Sequence, residues 1–457
     1  MHYRLKGPKP YDHQLETLKF LHERAYASVN SEPGTGKTRS LVCAAEAKKM
    51  QGVAKRALYV CPDAVRETVG AEIPKWTDLS VTVLRGSSVQ RVEQLRETDT
   101  FFYVVNYESC ALILNHLLKK KFDLLIMDES TRIKNPKSAR SKAIATIANR
   151  CKVRWQATGS PMPTNPLDIH GQYSMLSKRI LGDTKYFKDN FIQYKKGPGI
   201  MPVIAGYKNM DKLKEIMARH SIRYLKEDCL DLPDKVFVEH LVPLSPLQVQ
   251  IYKELEEQFV AELPSGETVS ITNVMSKYMR LQQVTSGFIG SGEEADVFDN
   301  TRIGHLKDIL DTIDLATNKV LIWCSYTSSI RRIGDALKKY NPAYFYGKTK
   351  DKQAEINKIN NDDTCRVLIG NSKVGIGCTM NAAAYAIYYE LPYFDTEAMI
   401  QSQDRNHRIG QTKKVTYYMM ISPGTIDRTI ERNLNKKFKL AAFLTGDDVK
   451  NMLRGEV

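Results

Sequence analysis

No stretch of this chain is apolar for long enough to cross a bilayer, and the opening Met-His-Tyr-Arg-Leu-Lys-Gly-Pro has no apolar core behind its charges. Neither a spanning helix nor a cleaved leader is therefore expected. Paired cysteines are missing as well. The eight present, Cys43, Cys61, Cys110, Cys151, Cys229, Cys324, Cys365 and Cys378, are scattered without Cys-x-x-Cys spacing, which argues against a zinc site and a disulfide framework and fits a reducing compartment. The lack of short-period repeats and low-complexity tracts excludes a solenoid. Tryptophan is scarce: Trp76, Trp155 and Trp323 each stand in apolar surroundings, where core packing is expected rather than base stacking. Acidic residues are in deficit, with 52 Asp and Glu against 67 Lys and Arg, and the resulting +15 suits a polyanionic partner, although it also serves solubility.

What is present is an alternation. At 457 residues the chain exceeds what one hydrophobic core usually organises, so two domains are expected. Short β-rich apolar runs separated by helical stretches occur at 26–29, 57–61, 101–106, 124–127 and 153–157, then again at 320–324, 343–346, 366–369, 384–389 and 415–421. Such alternation implies an α/β fold of two parallel-sheet lobes, with ligand sites beyond the carboxyl ends of the strands. The intervening stretch is rich in Lys, Tyr and helix-compatible segments such as 210–220. The expected organisation is a first lobe over 1–165, a mostly helical insert over 166–233 and a second lobe over 234–457, with Leu232-Pro233-Asp234 as connector. Residues 287–300, with two glycines after Gly287 and several carboxylates, read as a surface loop.

Ser31-Glu32-Pro33-Gly34-Thr35-Gly36-Lys37-Thr38 follows a strand and opens a helical stretch, the context a phosphate-binding loop needs. Gly34 and Gly36 let backbone amides, Thr35 among them, curl round phosphates, Lys37 meets their charge, and the Thr38 hydroxyl can ligate magnesium. Ser31 replaces the first glycine of the strict pattern. Leu124-Leu125-Ile126-Met127 ends in Asp128-Glu129, where Asp128 would hold the metal and Glu129 would orient and deprotonate an attacking water. In the second lobe, Arg405 and Arg408 are three apart and would share a helix face, from which both could reach a γ-phosphate; the alternative is a solvated basic helix. ATP and Mg2+ are the implied substrate and cofactor.

Read together, these residues resemble superfamily-two helicases, and specifically the Swi/Snf-like DNA translocases. The resemblance runs from Tyr11-Asp12-His13-Gln14 to about Ile430 and includes Asp128-Glu129-Ser130-Thr131-Arg132-Ile133-Lys134-Asn135, Ala157-Thr158-Gly159-Ser160-Pro161, Leu232-Pro233-Asp234-Lys235, Ser372-Lys373-Val374-Gly375-Ile376-Gly377 and Asp404-Arg405-Asn406-His407-Arg408-Ile409-Gly410-Gln411. It implies two RecA-like lobes in tandem, adenine recognition by Gln14, and a Thr158–Pro161 motif that couples the nucleotide to DNA. It also implies a glycine-rich motif from Ser372 to Asn381, Gly377 included, that touches both nucleotide and DNA. Thr131 stands where the family usually has histidine, and Arg223-Tyr224-Leu225-Lys226 matches the family's basic stretch only in part, so no role is assigned there. With about 25 residues after Asn433, the resemblance is to compact phage or prokaryotic members, and the expected setting is cytoplasmic and nucleoid-associated.

The resemblance further implies a sequence-blind grip on the DNA backbone. Matching motif positions nominate Pro62, Asn106, Tyr107, Arg132 and Lys134 in the first lobe and Ser325, Ser372 and Thr379 in the second. Asn106-Tyr107 reads equally as a packed turn, and Lys119-Lys120-Lys121 as a solvated helix end. The expected activity is ATP-driven movement on duplex, forked or four-way DNA, with branch migration or strand separation as outcomes. An RNA helicase and a nucleic-acid-binding module without ATPase activity are the alternatives. The basic, aromatic stretch containing Tyr194, Lys195, Lys196, Tyr207 and Arg219 reads either as a grip on a second duplex arm or a strand-splitting element at a junction, or equally as a segment that packs on the first lobe.

Overall fold

The computed structural model describes residues 5–195, 203–261, 271–290, 295–374, 378–393 and 395–447. Both expected parallel-sheet lobes are present. In the first, β1 (Tyr26–Val29), β2 (Ala57–Cys61), β3 (Val81–Val83), β4 (Phe102–Asn106), β5 (Leu124–Asp128), β6 (Val153–Ala157) and β7 (Ser221–Ile222) form a seven-stranded sheet in the order β3-β4-β2-β5-β6-β1-β7. Every neighbouring pair is parallel. Strands β2 and β4 are buried at every position, which is why they read as unbroken apolar runs rather than as an alternation.

The second sheet has six strands, β8 (Lys235–Leu241), β9 (Lys319–Cys324), β10 (Ala343–Phe345), β11 (Val367–Asn371), β12 (Ala383–Tyr388) and β13 (Val415–Ile421), in the order β8-β13-β12-β9-β11-β10 and again wholly parallel. Within these two sheets, the strands not expected from sequence are β3, β7 and β8. The first two have three and two residues, and β8 is an edge strand whose positions are all at least partly exposed, so none carries a buried apolar run. Trp155 and Trp323 are fully buried in their respective lobes, as expected, whereas Trp76 is partly buried beneath the Arg39 guanidinium, 4.3 Å from its ring.

The described part of the stretch 166–233 is mostly helical and is divided between the two compact units. Residues up to Gln193 and Tyr207–Asp231 belong to the first compact unit. Its helices bury Ile169, Tyr173, Leu176, Phe187, Phe191, Leu213 and Met217, and Ser221–Ile222 joins the first sheet beside β1. Ala441–Asp447 also group with the first unit. There Asp447 pairs with Arg223 at 2.6 Å, both side chains being nearly buried. Of the expected loop at 287–300, Phe288–Ile289 and Asp296–Val297 form a small antiparallel ribbon. Among the described residues no helix is long and apolar enough to cross a membrane.

Candidate active site

Strands β5, β6 and β1 are neighbours in the first sheet, and their carboxyl ends are level: Ala157 is in register with both Asp128 and Val29. That topology sets three loops side by side. They are the phosphate loop after β1, Asp128-Glu129 at the end of β5, and Thr158–Pro161 after β6.

The phosphate loop turns through Gly34 (φ +86°) and Gly36 (φ +81°), both in the left-handed region that glycine occupies without strain, and delivers the chain into helix Lys37–Met50. Lys37 Nζ donates to the carbonyls of Ser31 (2.8 Å) and Glu32 (3.0 Å), so it lies over the loop that it would share with phosphates. Gln14, on helix Asp12–Glu23, donates to the Thr35 carbonyl at 3.4 Å and packs so closely on Gly36 that a Cβ there would come within 2.0 Å of its Nε2. His13 adds a ring-nitrogen contact to the same carbonyl at 2.8 Å. Gln14 is thus brought to the phosphate loop.

Asp128 accepts from the Tyr59 hydroxyl at 3.0 Å and from the Glu129 amide at 3.0 Å. Burial holds its carboxyl above the ordinary carboxylate range, while the nearby Lys37 charge works in the opposite direction. The Thr38 side chain lies near the same Tyr59 hydroxyl, which places the two proposed metal ligands around one phenol. A hydroxyl and a carboxylate converging in this way are hard oxygen donors of the kind magnesium takes, with phosphate oxygens and waters completing the shell, so the residues present fit that ion. Glu129 is one of few non-glycine residues at positive φ (φ +50°, ψ +56°), a conformation that costs about 1–3 kcal/mol and is typically retained where a side chain must point in a required direction.

Three features were not found from sequence. Tyr59 is an inner residue of a buried strand, and nothing in the pattern distinguishes it from a core tyrosine. Gln172 accepts from the Ser130 hydroxyl and donates to the Pro161 carbonyl, each at 2.7 Å, joining two motifs from a helix that carries neither. The third is the Arg223–Lys226 segment, which clamps the phosphate loop. Asn30 and Glu32 donate backbone N–H groups to Ile222 and Tyr224, Tyr224 N–H donates to Ser31 Oγ at 3.1 Å, and Lys226 N–H to Glu32 Oε2 at 2.7 Å. Arg223 donates to the Asn30 carbonyl, and the buried Lys226 lies with its Cε 3.5 Å from where a Gly34 Cβ would be.

In the second lobe the two arginines diverge. The helix that would have put them on one face, Thr396–Gln403, ends before them, and 404–410 form successive turns. Arg405 is 2% exposed; its guanidinium donates to the Val374 carbonyl at 2.7 Å and packs on the Trp323 and Phe345 rings at 5.4 and 5.3 Å. It is a strut beneath the Ser372–Val374 turn, not a group presented to solvent, which corrects the expectation that both arginines face a phosphate. Arg408 remains partly exposed and donates to the Cys378 carbonyl at 3.3 Å. Gln411 closes the same turn by donating to the carbonyls of Asn381, Ala383 and Asn406.

Among the nucleic-acid candidates, Tyr107 takes the packed-turn alternative: it is fully buried and its hydroxyl donates to the Asp128 carbonyl at 2.7 Å. Pro62, Asn106 and Ser372 are buried too, so the first-lobe residues left at the surface are Arg132 and Lys134, both partly exposed. Ser325 and Thr379 are partly exposed in the second lobe, with the Ser325 amide held by Glu390 at 2.8 Å. Gly377 lies outside the described residues.

Compared with known proteins, residues 13–287 match the SNF2-related domain and residues 302–410 the helicase conserved C-terminal domain. An uncharacterized ATP-dependent helicase of Mycoplasma pneumoniae is 22% identical over 98% of this chain and 43% of its own length, and the ISWI chromatin-remodeling complex ATPase ISW2 of Saccharomyces cerevisiae is 24% identical over 95% and 41%. The chain therefore spans less than half the length of these relatives. The SWI2/SNF2 ATPase core of Sulfolobus solfataricus, solved in complex with dsDNA, aligns over 99% of this chain and 96% of that one at 20% identity with a TM-score of 0.47. Since the SNF2-related match alone covers more than half of the residues and falls on the lobe holding the phosphate loop and the Asp128-Glu129 pair, the chain belongs to the SNF2-related domain family.

Proposed function

We propose that the chain hydrolyses ATP and uses the energy to move on duplex DNA. The observation that carries this is the level placement of the phosphate loop, the Asp128-Glu129 pair and the Thr158–Pro161 turn on three adjacent strands. The loop amides and Lys37 bind the β- and γ-phosphates, Lys37 exchanging its bonds to the Ser31 and Glu32 carbonyls for phosphate oxygens. Gln14 lies at the loop to meet the adenine. Thr38 and Asp128 would hold magnesium, which when bound neutralises phosphate charge. Glu129, fixed by its left-handed backbone, aligns the attacking water and takes its proton. Arg408 contributes charge to the transition state.

DNA as the track is supported by the +15 charge and by relatives named as helicases and chromatin-remodeling ATPases. Action on forked or four-way junctions is the finer part of the reading. Its support is the exposed Tyr194 and Lys195; Arg219 already pairs with Glu215, Tyr207 is partly buried, and Lys196 lies outside the described residues. The test is the ATPase rate with single-stranded DNA, duplex DNA, a fork, a four-way junction and RNA. Strong stimulation by duplex or branched DNA is expected. Turnover indifferent to DNA, or fastest with RNA, overturns the reading.

A further inference from the structure

Gln172 lies in helix Pro166–Leu176 and is 1% exposed, yet its amide is fully engaged. Oε1 accepts from the Ser130 hydroxyl at 2.7 Å, and Nε2 donates to the carbonyls of Pro161 at 2.7 Å and Asp168 at 2.9 Å. Reversing the amide would press Oε1 against two carbonyl oxygens, so the network admits one orientation. Ser130 directly follows the carboxylate pair, and Pro161 closes the turn after β6. On the other flank of that turn Gly159 is packed against the phosphate loop, where a Cβ would come within 2.5 Å of Pro33 Cδ. The helix carrying Gln172 is itself fixed, by the Asn165–Asp168 capping box and by Gly171, whose Cβ would fall 2.0 Å from the Lys134 carbonyl. A buried polar group left without its partner is costly, so a shift at Ser130 is carried through the amide to Pro161 rather than absorbed between them.

We infer that Gln172 is a positioning residue which ties the Thr158–Pro161 turn to the nucleotide state at Asp128 and Glu129, and so sets how far DNA stimulates turnover. This rests on the reading of the chain as a DNA-stimulated ATPase. Leucine at this position would fill similar space while breaking the tie, and Ser130→Ala would break it from the other end.

The experiment measures ATP turnover of the full chain, with and without duplex DNA, for wild type, Gln172→Leu, Ser130→Ala and the double variant, with thermal melts alongside. Gln172→Leu should keep its DNA-free rate and its KM for ATP but lose about tenfold in DNA-stimulated kcat. The double variant should be no worse than the poorer single one, since both remove one link. Should Gln172→Leu fail to fold, Ser130→Ala decides by its stimulated rate. Wild type without DNA stimulation overturns the underlying reading. If wild type is stimulated, normal stimulation in both single variants, an equal loss of DNA-free and stimulated rates in Gln172→Leu, or additive losses in the double variant overturns the role of Gln172 alone.

Discussion

The tasks proposed for Lys37 and Glu129 are separable, and single substitutions should separate them. Lys37→Ala removes the cation over the loop and should lower nucleotide affinity and abolish turnover, whereas Glu129→Gln keeps the bonding geometry without a base and should bind ATP yet stall. Equilibrium binding of a fluorescent ATP analogue, read beside phosphate release, distinguishes the two, and normal turnover in both variants would refute the site. The arginines make a sharper comparison. Arg408→Ala should cut kcat with little change in ATP affinity or melting temperature, because the side chain is partly exposed with one weak carbonyl contact. Arg405→Ala should instead cost about 3 kcal/mol of second-lobe stability, since it removes a buried, hydrogen-bonded guanidinium packed between two aromatic rings. A denaturant series on both variants tests this; equal melting would mean that Arg405 is not the strut described above.

At the scale of elements, two connections hold loops that the sheets alone would leave loose. Asp447 closes onto Arg223, which in turn supports the Asn30 carbonyl at the root of the phosphate loop. Asp447→Ala would leave that guanidinium largely buried without its carboxylate, a loss of about 3 kcal/mol in the first lobe. Urea unfolding followed by a first-lobe probe should show it, and an unchanged midpoint would make the pair incidental. In the second lobe Glu390, just beyond β12, accepts from the Ser325 amide and the Ser329 hydroxyl in a fully buried setting. Burial raises its carboxyl pKa above that of the unfolded chain, so the folded state holds this proton more tightly and the group favours folding most at low pH, losing that contribution as pH rises through the raised value. Compared with Glu390→Gln, wild type should therefore gain relative stability as pH falls from about 8 to about 5. A difference in melting temperature that stays flat or moves the other way would contradict the burial argument.

For the whole molecule, the charge excess bears on the track rather than the fold. A grip that neutralises backbone phosphates releases counterions, so affinity for duplex DNA should fall at least about tenfold between roughly 50 and 200 mM salt, with little dependence on sequence. Fluorescence anisotropy at several salt concentrations measures the slope, and a shallow slope would move the interaction away from the backbone. The same scale explains what could be read in advance. Buried parallel strands are continuous apolar runs, and a phosphate loop is a strand, a glycine turn and a helix within a dozen positions, so β1, β2, β5, β6 and Lys37 were legible from neighbours alone. Where exposure depended on distant packing, local pattern could not decide it: the buried Tyr107, left open between track contact and packed turn, donates to the Asp128 carbonyl 21 residues away, and the buried Arg405 donates to the Val374 carbonyl 31 residues earlier.

The sequence by itself determined the two lobes, the order of their motifs and the residues proposed for the nucleotide, because each of these is set by composition and spacing over a few consecutive positions. Tertiary structure alone decided that Tyr207–Asp231 group with the first lobe, that Arg223 and Asp447 meet across 224 positions, that Gln172 joins two motifs, and that one arginine of the second lobe faces inward while its neighbour does not. The physical reason is the same in each case. A buried polar group must find a partner wherever the chain supplies one, and the partners it found here are too far away in sequence for any local pattern to record.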